Sequence, residues 1–223
     1  MTQTIILVRH GQASYGAANY DNLSALGHLQ TRALGMAMQT FSVLPDVLVS
    51  GAMQRHQQTA QNISENIGVP VEKKQYSAFN EFAFREVVEA FFARYPSEKP
   101  AEDAPRTAFY RALKLAMLAW SQGELGTLPE SYSQFQQRVV NGLSEVQQDH
   151  PHAKQVLVST SGGVIAMALG HALQLDAAAT VNLNLQIYNA SLHRILVAGD
   201  TSYVSGFNDV AHFAGQTQQL TYS

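Results

Sequence analysis

Three short segments concentrate the residues that could do chemistry. Arg9-His10-Gly11-Gln12 sets a guanidinium beside an imidazole. Ser50-Gly51-Ala52-Met53-Gln54-Arg55 adds a second guanidinium. Ser159-Thr160-Ser161-Gly162-Gly163 supplies hydroxyls and two glycines directly ahead of an apolar run from Val164. Small residues at a helix start form an anion site from backbone N–H groups and the helix dipole. Two guanidiniums, one imidazole and one amide nest share one natural target: an anion, most simply a phosphoryl group. Gly11 either allows a close backbone approach or a positive φ.

Each of these segments follows a short apolar run. Thr4–Val8, Asp46–Ser50 and Gln155–Ser159 read as strands buried on both faces. Helical stripes lie between them. Leu26, Leu29, Ala33, Ala37 and Phe41 follow Ser24, a predicted N-cap. Phe109, Ala112, Leu113, Ala116, Met117 and Trp120 form a second stripe, with Pro105 early in that helix. Tyr132, Phe135, Val139, Leu143 and Val146 form a third. The expected fold is α/β: a three-layer α/β/α sandwich with a mostly parallel sheet and a helical insertion over the site. Strands around Ala190–Ala198 and Ser202–Phe207, joined at Gly199-Asp200, are expected to form an antiparallel edge. Residues 1–223 read as a single domain, with the insertion at about 83–130 and a Pro- and charge-rich surface loop at Arg94–Arg106. In open α/β sheets ligands bind beyond the carboxyl ends of the strands, which is where the three segments fall.

Composition removes other classes. The chain has 223 residues, 46% hydrophobic and 14% charged, which excludes a disordered polymer. A net charge of −3 leaves no basic footprint for nucleic acid or for an anionic membrane surface. With no cysteine, thiolate catalysis, disulfides and cysteine metal sites fall away. None of the five lysines follows a glycine, so there is no Walker A motif. No G-x-G-x-x-G is present, and Ser159 stands where a G-x-S-x-G nucleophile elbow needs glycine. His150-Pro151-His152 reads as a helix stop rather than a metal site, and no metal or other cofactor is expected. The opening MTQTIILVRHGQ lacks the marks of a signal peptide, and no run approaches the ~18 apolar residues of a membrane span. The expectation is a cytoplasmic protein with no nucleic-acid or membrane partner.

An ordered set of motifs carries a resemblance. Leu7-Val8-Arg9-His10-Gly11 resembles the signature of the histidine phosphatase superfamily, also called phosphoglycerate mutase-like. Leu23-Ser24-Ala25-Leu26-Gly27 resembles its LSxxG stretch. Ser50 to Arg55 with Gln58-Thr59-Ala60 resembles its S-x-x-x-R-x-x-Q-T-A pattern, shifted by the turn length. Phe79-Asn80-Glu81-Phe82 resembles the L-N-E segment, and Asn189-Ala190-Ser191 a late segment of the family. The resemblance implies that His10 is the nucleophile, transiently phosphorylated, and that Arg9 and Arg55 clamp the phosphoryl oxygens. It implies that Glu81 donates a proton to the leaving oxygen, with Glu86 and Glu89 the nearby alternatives. Gln12, Ser14, Ser161 and Gly162 are further candidates for the phosphate pocket, while His28 reads as a solvated helix-start residue.

The family's third turn normally carries a second histidine, and Ser161 stands in its place. Serine donates a hydrogen bond but carries no charge. Losing one such donor costs roughly 10²–10³ in rate by analogy with oxyanion holes. His56, His193 and His212 are the candidates to substitute. The expected function is metal-independent hydrolysis of a small phosphorylated substrate through a phosphohistidine, with mutase activity the lesser expectation. The alternative is a weak or inactive phosphatase-like protein that binds a phosphorylated ligand or partner. A serine hydrolase built on Ser161 is the remote third reading.

Overall fold

The computed structural model describes residues 2–14, 21–199 and 201–222. Asp200 of the expected Gly199-Asp200 turn lies outside them. The strands are β1 (Thr2–Arg9), β2 (Val47–Ser50), β3 (Glu72–Gln75), β4 (Gln155–Thr160), β5 (Leu192–Ala198) and β6 (Thr201–Asp209). They form a six-stranded sheet in the order β3-β2-β4-β1-β5-β6. The first four in that order run parallel, and β5 pairs antiparallel with both β1 and β6. The mostly parallel sheet with an antiparallel edge is therefore present. Strand β3 has no counterpart in the sequence reading: Glu72-Lys73-Lys74-Gln75 is exposed throughout and carries no apolar signal. The strand expected from Ala190 begins at Leu192, because Ala190 takes a φ of 56°.

Around the sheet lie α1 (Ala25–Thr40), α2 (Gln54–Asn66), α3 (Phe84–Arg94), α4 (Arg106–Ser121), α5 (Tyr132–Asp149), α6 (Gly162–Ala172) and α7 (Ala177–Asn184). The period-two rule for strands explains the layers. Ile6, Val8, Leu48 and Leu157 pack with Leu34, Met38 and Ile63 of α1 and α2. Their neighbours Ile5, Leu7, Val49, Val156 and Val158 face Met117, Phe135, Val139 and Ile165 on the opposite side. Continuous apolar runs are what a strand buried on both faces needs.

Two helical stripes fall as expected: Ala112, Ala116, Met117 and Trp120 of α4 are buried, as are Phe135, Val139 and Val146 of α5. Helix α1 starts after Ser24, whose side chain accepts the Gly27 amide. Its inward face, however, is Gly27, Gln30, Thr31, Leu34, Gly35 and Met38, while Leu29 and Phe41 of the expected stripe are exposed. Burying polar residues there is tolerable because each is hydrogen bonded. Gln30 Oε1 accepts the Gln12 amide at 2.8 Å, and Thr31 Oγ1 donates to the Gly27 carbonyl at 2.9 Å. Gly11 serves close approach and not positive φ: a Cβ there would stand 2.4 Å from the Gly27 carbonyl oxygen. This seats the start of α1 on the turn after β1.

Candidate active site

The turns after β1, β2 and β4 meet at the carboxyl end of the sheet. Neighbouring strands hold them in register: Arg9 pairs with Thr160, and Ser50 with Ser159. His10, Arg55, His56 and Ser161 are all buried there.

His10 Nδ1 lies 2.7 Å from the Gly11 carbonyl oxygen. A carbonyl only accepts, so Nδ1 carries the proton and Nε2 keeps its lone pair. The turn is fixed from three sides. The His10 amide donates to the Thr160 carbonyl at 2.8 Å, the Gly11 amide to Thr59 Oγ1 at 3.2 Å, and Asn189 Nδ2 to the His10 carbonyl at 3.1 Å. Burial, then Arg55, Arg9 and His56, hold the His10 imidazole well below its ordinary pKa. It is neutral at physiological pH.

Arg55 sits in the first turn of α2, beneath the turn after β2. Its Nη1 pairs with Asp21 Oδ1 at 2.7 Å, and its Nη2 reaches Ser161 Oγ at 3.5 Å. Arg9 donates through Nη1 to the Ile187 carbonyl and through Nη2 to the Tyr222 carbonyl at 3.0 Å, which fixes the plane of its guanidinium. Both arginines act electrostatically on His10 and on Glu81.

Glu81 comes from the segment before α3. Its Oε2 accepts the Gly163 amide at 3.1 Å and its Oε1 the Phe82 amide at 3.2 Å. A Cβ on Gly163 would come within 2.2 Å of Oε1, so glycine is what lets the carboxylate in. Burial raises the Glu81 pKa, opposed in order by the Gly163 amide, Arg55, the Phe82 amide and Arg9. The next residue, Phe82, anchors the segment: its ring stacks on Trp120 at 4.8 Å and packs on Phe135 at 5.4 Å. Arg138 of α5 donates to the Ala78 and Asn80 carbonyls at 2.8 and 2.9 Å. Glu86 and Glu89, the alternative donors, are exposed on α3.

Ser161 precedes α6 at its N-cap but makes no side-chain cap bond. Its hydroxyl instead meets His56 Nε2 at 2.6 Å. Of the histidines considered as substitutes, His56 is thus in the pocket, its ring 5.7 Å from that of His10. His193 belongs to β5, with Nε2 3.0 Å from Ser191 Oγ and Nδ1 accepting the Asn208 amide. His212 packs at a tilt against Phe213, ring centroids 3.9 Å apart. Gly162 faces Arg9: a Cβ there would lie 3.7 Å from Arg9 Nε and 2.6 Å from Asn184 Oδ1. Gln12 borders the site, but its Oε1 accepts from Ser24 Oγ at 2.8 Å. Ser14 pairs through its backbone with Asn22, and His28 meets Asn62.

Asp21, Asn80 and Arg138 are positioning residues that sequence reasoning missed. Asn80 lay inside a recognised motif, and its Oδ1 accepts the Ala52 amide at 2.6 Å, tying the Glu81 segment to the turn after β2. Asp21 and Arg138 carry no local signal, since their partners lie 34 and about 60 residues away.

The family model of the histidine phosphatase superfamily (branch 1) matches residues 5–210. The chain belongs to that superfamily. Curated relatives of this histidine phosphatase superfamily member include 2,3-bisphosphoglycerate-dependent phosphoglycerate mutases. That of Bartonella tribocorum is 34% identical over 74 residues, 30% of this chain and 36% of the relative. That of Brucella ovis is 31% identical over 88 residues, 36% and 43% of the two chains. The match thus spans less than half the length of these relatives. Among solved structures, a phosphoserine phosphatase from Entamoeba histolytica superposes with a TM-score of 0.66 at 15% identity, covering 94% of this chain and 98% of its own. A mycobacterial glucosyl-3-phosphoglycerate phosphatase gives 0.65 at 19%, covering 93% and 99%. The alpha-ribazole phosphatase of Shigella flexneri gives 0.62 at 18%, covering 93% and 96%. At these identities the likeness establishes the fold. The superfamily and its named relatives are phosphatases and mutases, enzymes of phosphoryl transfer. Among the described residues no helix is long and apolar enough to cross a membrane.

Proposed function

We propose that this chain hydrolyses small phosphomonoesters through a phosphohistidine at His10. One observation carries the reading: the Gly11 carbonyl accepts a hydrogen bond from Nδ1–H of a neutral, buried imidazole, so that the Nε2 lone pair is available for attack. Nε2 forms a bond to phosphorus as the ester P–O bond breaks. The protonated Glu81 carboxyl passes its proton to the departing oxygen, which leaves as an alcohol. The resulting Glu81 carboxylate then removes a proton from water. The incipient hydroxide attacks phosphorus, the N–P bond breaks with its electron pair returning to Nε2, and inorganic phosphate departs. Arg9 and Arg55 stabilise charge on the equatorial oxygens in both steps. The raised pKa of Glu81 supports its role as the acid.

These arginines supply the positive charge, so a panel of phosphomonoesters assayed without added metal tests the proposal. Turnover of at least one ester, abolished by His10→Ala, is the expected result. Absence of turnover across the panel, with inorganic phosphate still bound, favours the second reading, a protein that binds a phosphorylated ligand. The specific observation on its side is Ser161 in the place of the family's second histidine.

A further inference from the structure

His56 lies in the pocket, yet the two chemical steps above leave it without a task. Its Nε2 stands 2.6 Å from Ser161 Oγ, and both residues are buried. Its backbone is tied to β4, the strand that leads into Ser161, because Ser159 Oγ donates to the His56 carbonyl at 2.8 Å. Gly51 makes room for the ring: a Cβ there would fall 2.3 Å from Nδ1. Ser161, for its part, forgoes the ordinary work of an N-cap serine. The Gly163 amide that such a serine could cap is taken by Glu81 Oε2.

The hydrogen bookkeeping has one economical solution. His56 Nδ1 is buried with no hydrogen-bond partner. A buried unpaired N–H is a rarer and costlier orphan than a bare lone pair. The proton therefore sits on Nε2, which donates to Ser161 Oγ. Burial and Arg55 hold the imidazole neutral, in keeping with a single ring proton. Arg55 Nη2 also points to Oγ, at 3.5 Å. With His56 and Arg55 both donating to Oγ, the hydroxyl proton of Ser161 is left for another acceptor.

Resting on the phosphoryl-transfer reading of the pocket, we infer that His56 and Ser161 form one donor relay. The His56 Nε2–H donates to Ser161 Oγ, and the Ser161 hydroxyl donates to an oxygen of the bound phosphoryl group. Ser161 is the group that touches substrate; His56 is a positioning residue that fixes the direction of its proton. Serine at 161 and histidine at 56 work as a unit.

Units of this kind show non-additive losses. The test measures orthovanadate affinity by calorimetry and turnover of p-nitrophenyl phosphate for the wild type, Ser161→Ala, His56→Ala, His56→Gln and the double Ala variant, with melting temperatures alongside. Ser161→Ala and His56→Ala should each weaken vanadate binding about tenfold or more and cut kcat by roughly 10²–10³. The double variant should be no worse than either alone. Glutamine, which keeps an N–H donor at similar reach, should restore most of both quantities. Losses that multiply, glutamine no better than alanine, or vanadate affinity unchanged in Ser161→Ala would each overturn the relay. If His56→Ala does not fold, Ser161→Ala and His56→Gln decide alone. Wild type that binds vanadate without turning over any ester refutes hydrolysis, while the affinities still judge the relay. Wild type that binds neither vanadate nor phosphate refutes both. Labelling of Ser161 by a serine-directed fluorophosphonate would show that His56 draws the hydroxyl proton instead, and overturns the relay.

Discussion

One carboxylate holds two successive residues at the start of α2: Asp21 Oδ1 receives Arg55 Nη1 at 2.7 Å, while Asp21 Oδ2 accepts the Gln54 amide at 2.8 Å. The guanidinium is almost fully buried, and this pair orients it toward the pocket. Asp21→Asn keeps the shape and loses the charge. It should lower kcat/KM roughly tenfold, the equivalent of about 1–2 kcal/mol of orientation. Steady-state kinetics with an ester that the wild type turns over would show it. An unchanged kcat/KM would mean that Arg55 keeps its position without Asp21.

Glu81→Gln should be read against the leaving group. Alkoxides need a proton to depart, and p-nitrophenolate hardly does. The variant should lose roughly tenfold or more additional activity on alkyl phosphates than on p-nitrophenyl phosphate. Equal losses on both would give Glu81 a structural task, since Glu86 and Glu89 face solvent on α3.

The family's own histidine cannot simply be restored. In the absence of His56, an imidazole at position 161 would add a donor where transition-state charge develops. With His56 Nε2 2.6 Å from Ser161 Oγ, the larger ring has no room. Ser161→His should therefore destabilise the protein by about 1–3 kcal/mol, as overpacking does, and lose activity. Combining it with His56→Ala should recover stability and part of the rate. Thermal melts and turnover of the two variants check this, and a Ser161→His protein as stable and active as wild type would contradict it.

Stability should fall as pH drops through the range below neutrality. Burial, then Arg9, pushes His193 down to about 3, and burial pushes His212 down to about 4. A base whose folded pKa is depressed binds fewer protons in the folded state than in the unfolded one. Its contribution is full above the unfolded pKa near 6.5 and is lost as pH falls toward the folded value. His10 and His56 shift in the same direction. Between pH 7 and 5, His193 and His212 should together cost about 2–4 kcal/mol. Denaturant titrations at pH 7, 6 and 5 measure it, and a flat profile would contradict the neutral burial of these rings.

Much of the fold could be read from local signals, and the exceptions have physical causes. β1, β2 and β4 announce themselves because strands buried on both faces must be apolar throughout. β3 is an exposed edge of charged residues, held by pairing with β2, and nothing local marks it. The buried face of α1 departs from the apolar stripe because Gln30 and Thr31 are buried through hydrogen bonds with Gln12, Gly27 and Asn62. Of the candidate site residues, Arg9, His10, Gln12, Arg55, Ser161 and Gly162 sit at strand ends, in the turns after them and at helix starts, where the topology rule for α/β sheets points. The choice of His56 over His193 and His212 depends on which strand ends are neighbours in the sheet, a fact of tertiary structure. Asp21 reaches Arg55 across the approach of α1 to α2, and no spacing rule encodes that contact.

The phosphohistidine is the central claim, and trapping it is the most direct measurement. Wild type mixed with p-nitrophenyl phosphate and quenched in base should gain one phosphoryl group by intact mass. Peptide mapping should place that group on His10. Because the N–P bond hydrolyses in acid and survives base, the label should vanish on acid treatment, and it should be absent from His10→Ala. A phosphoryl group found on Ser161, or efficient turnover by His10→Ala, would contradict the mechanism.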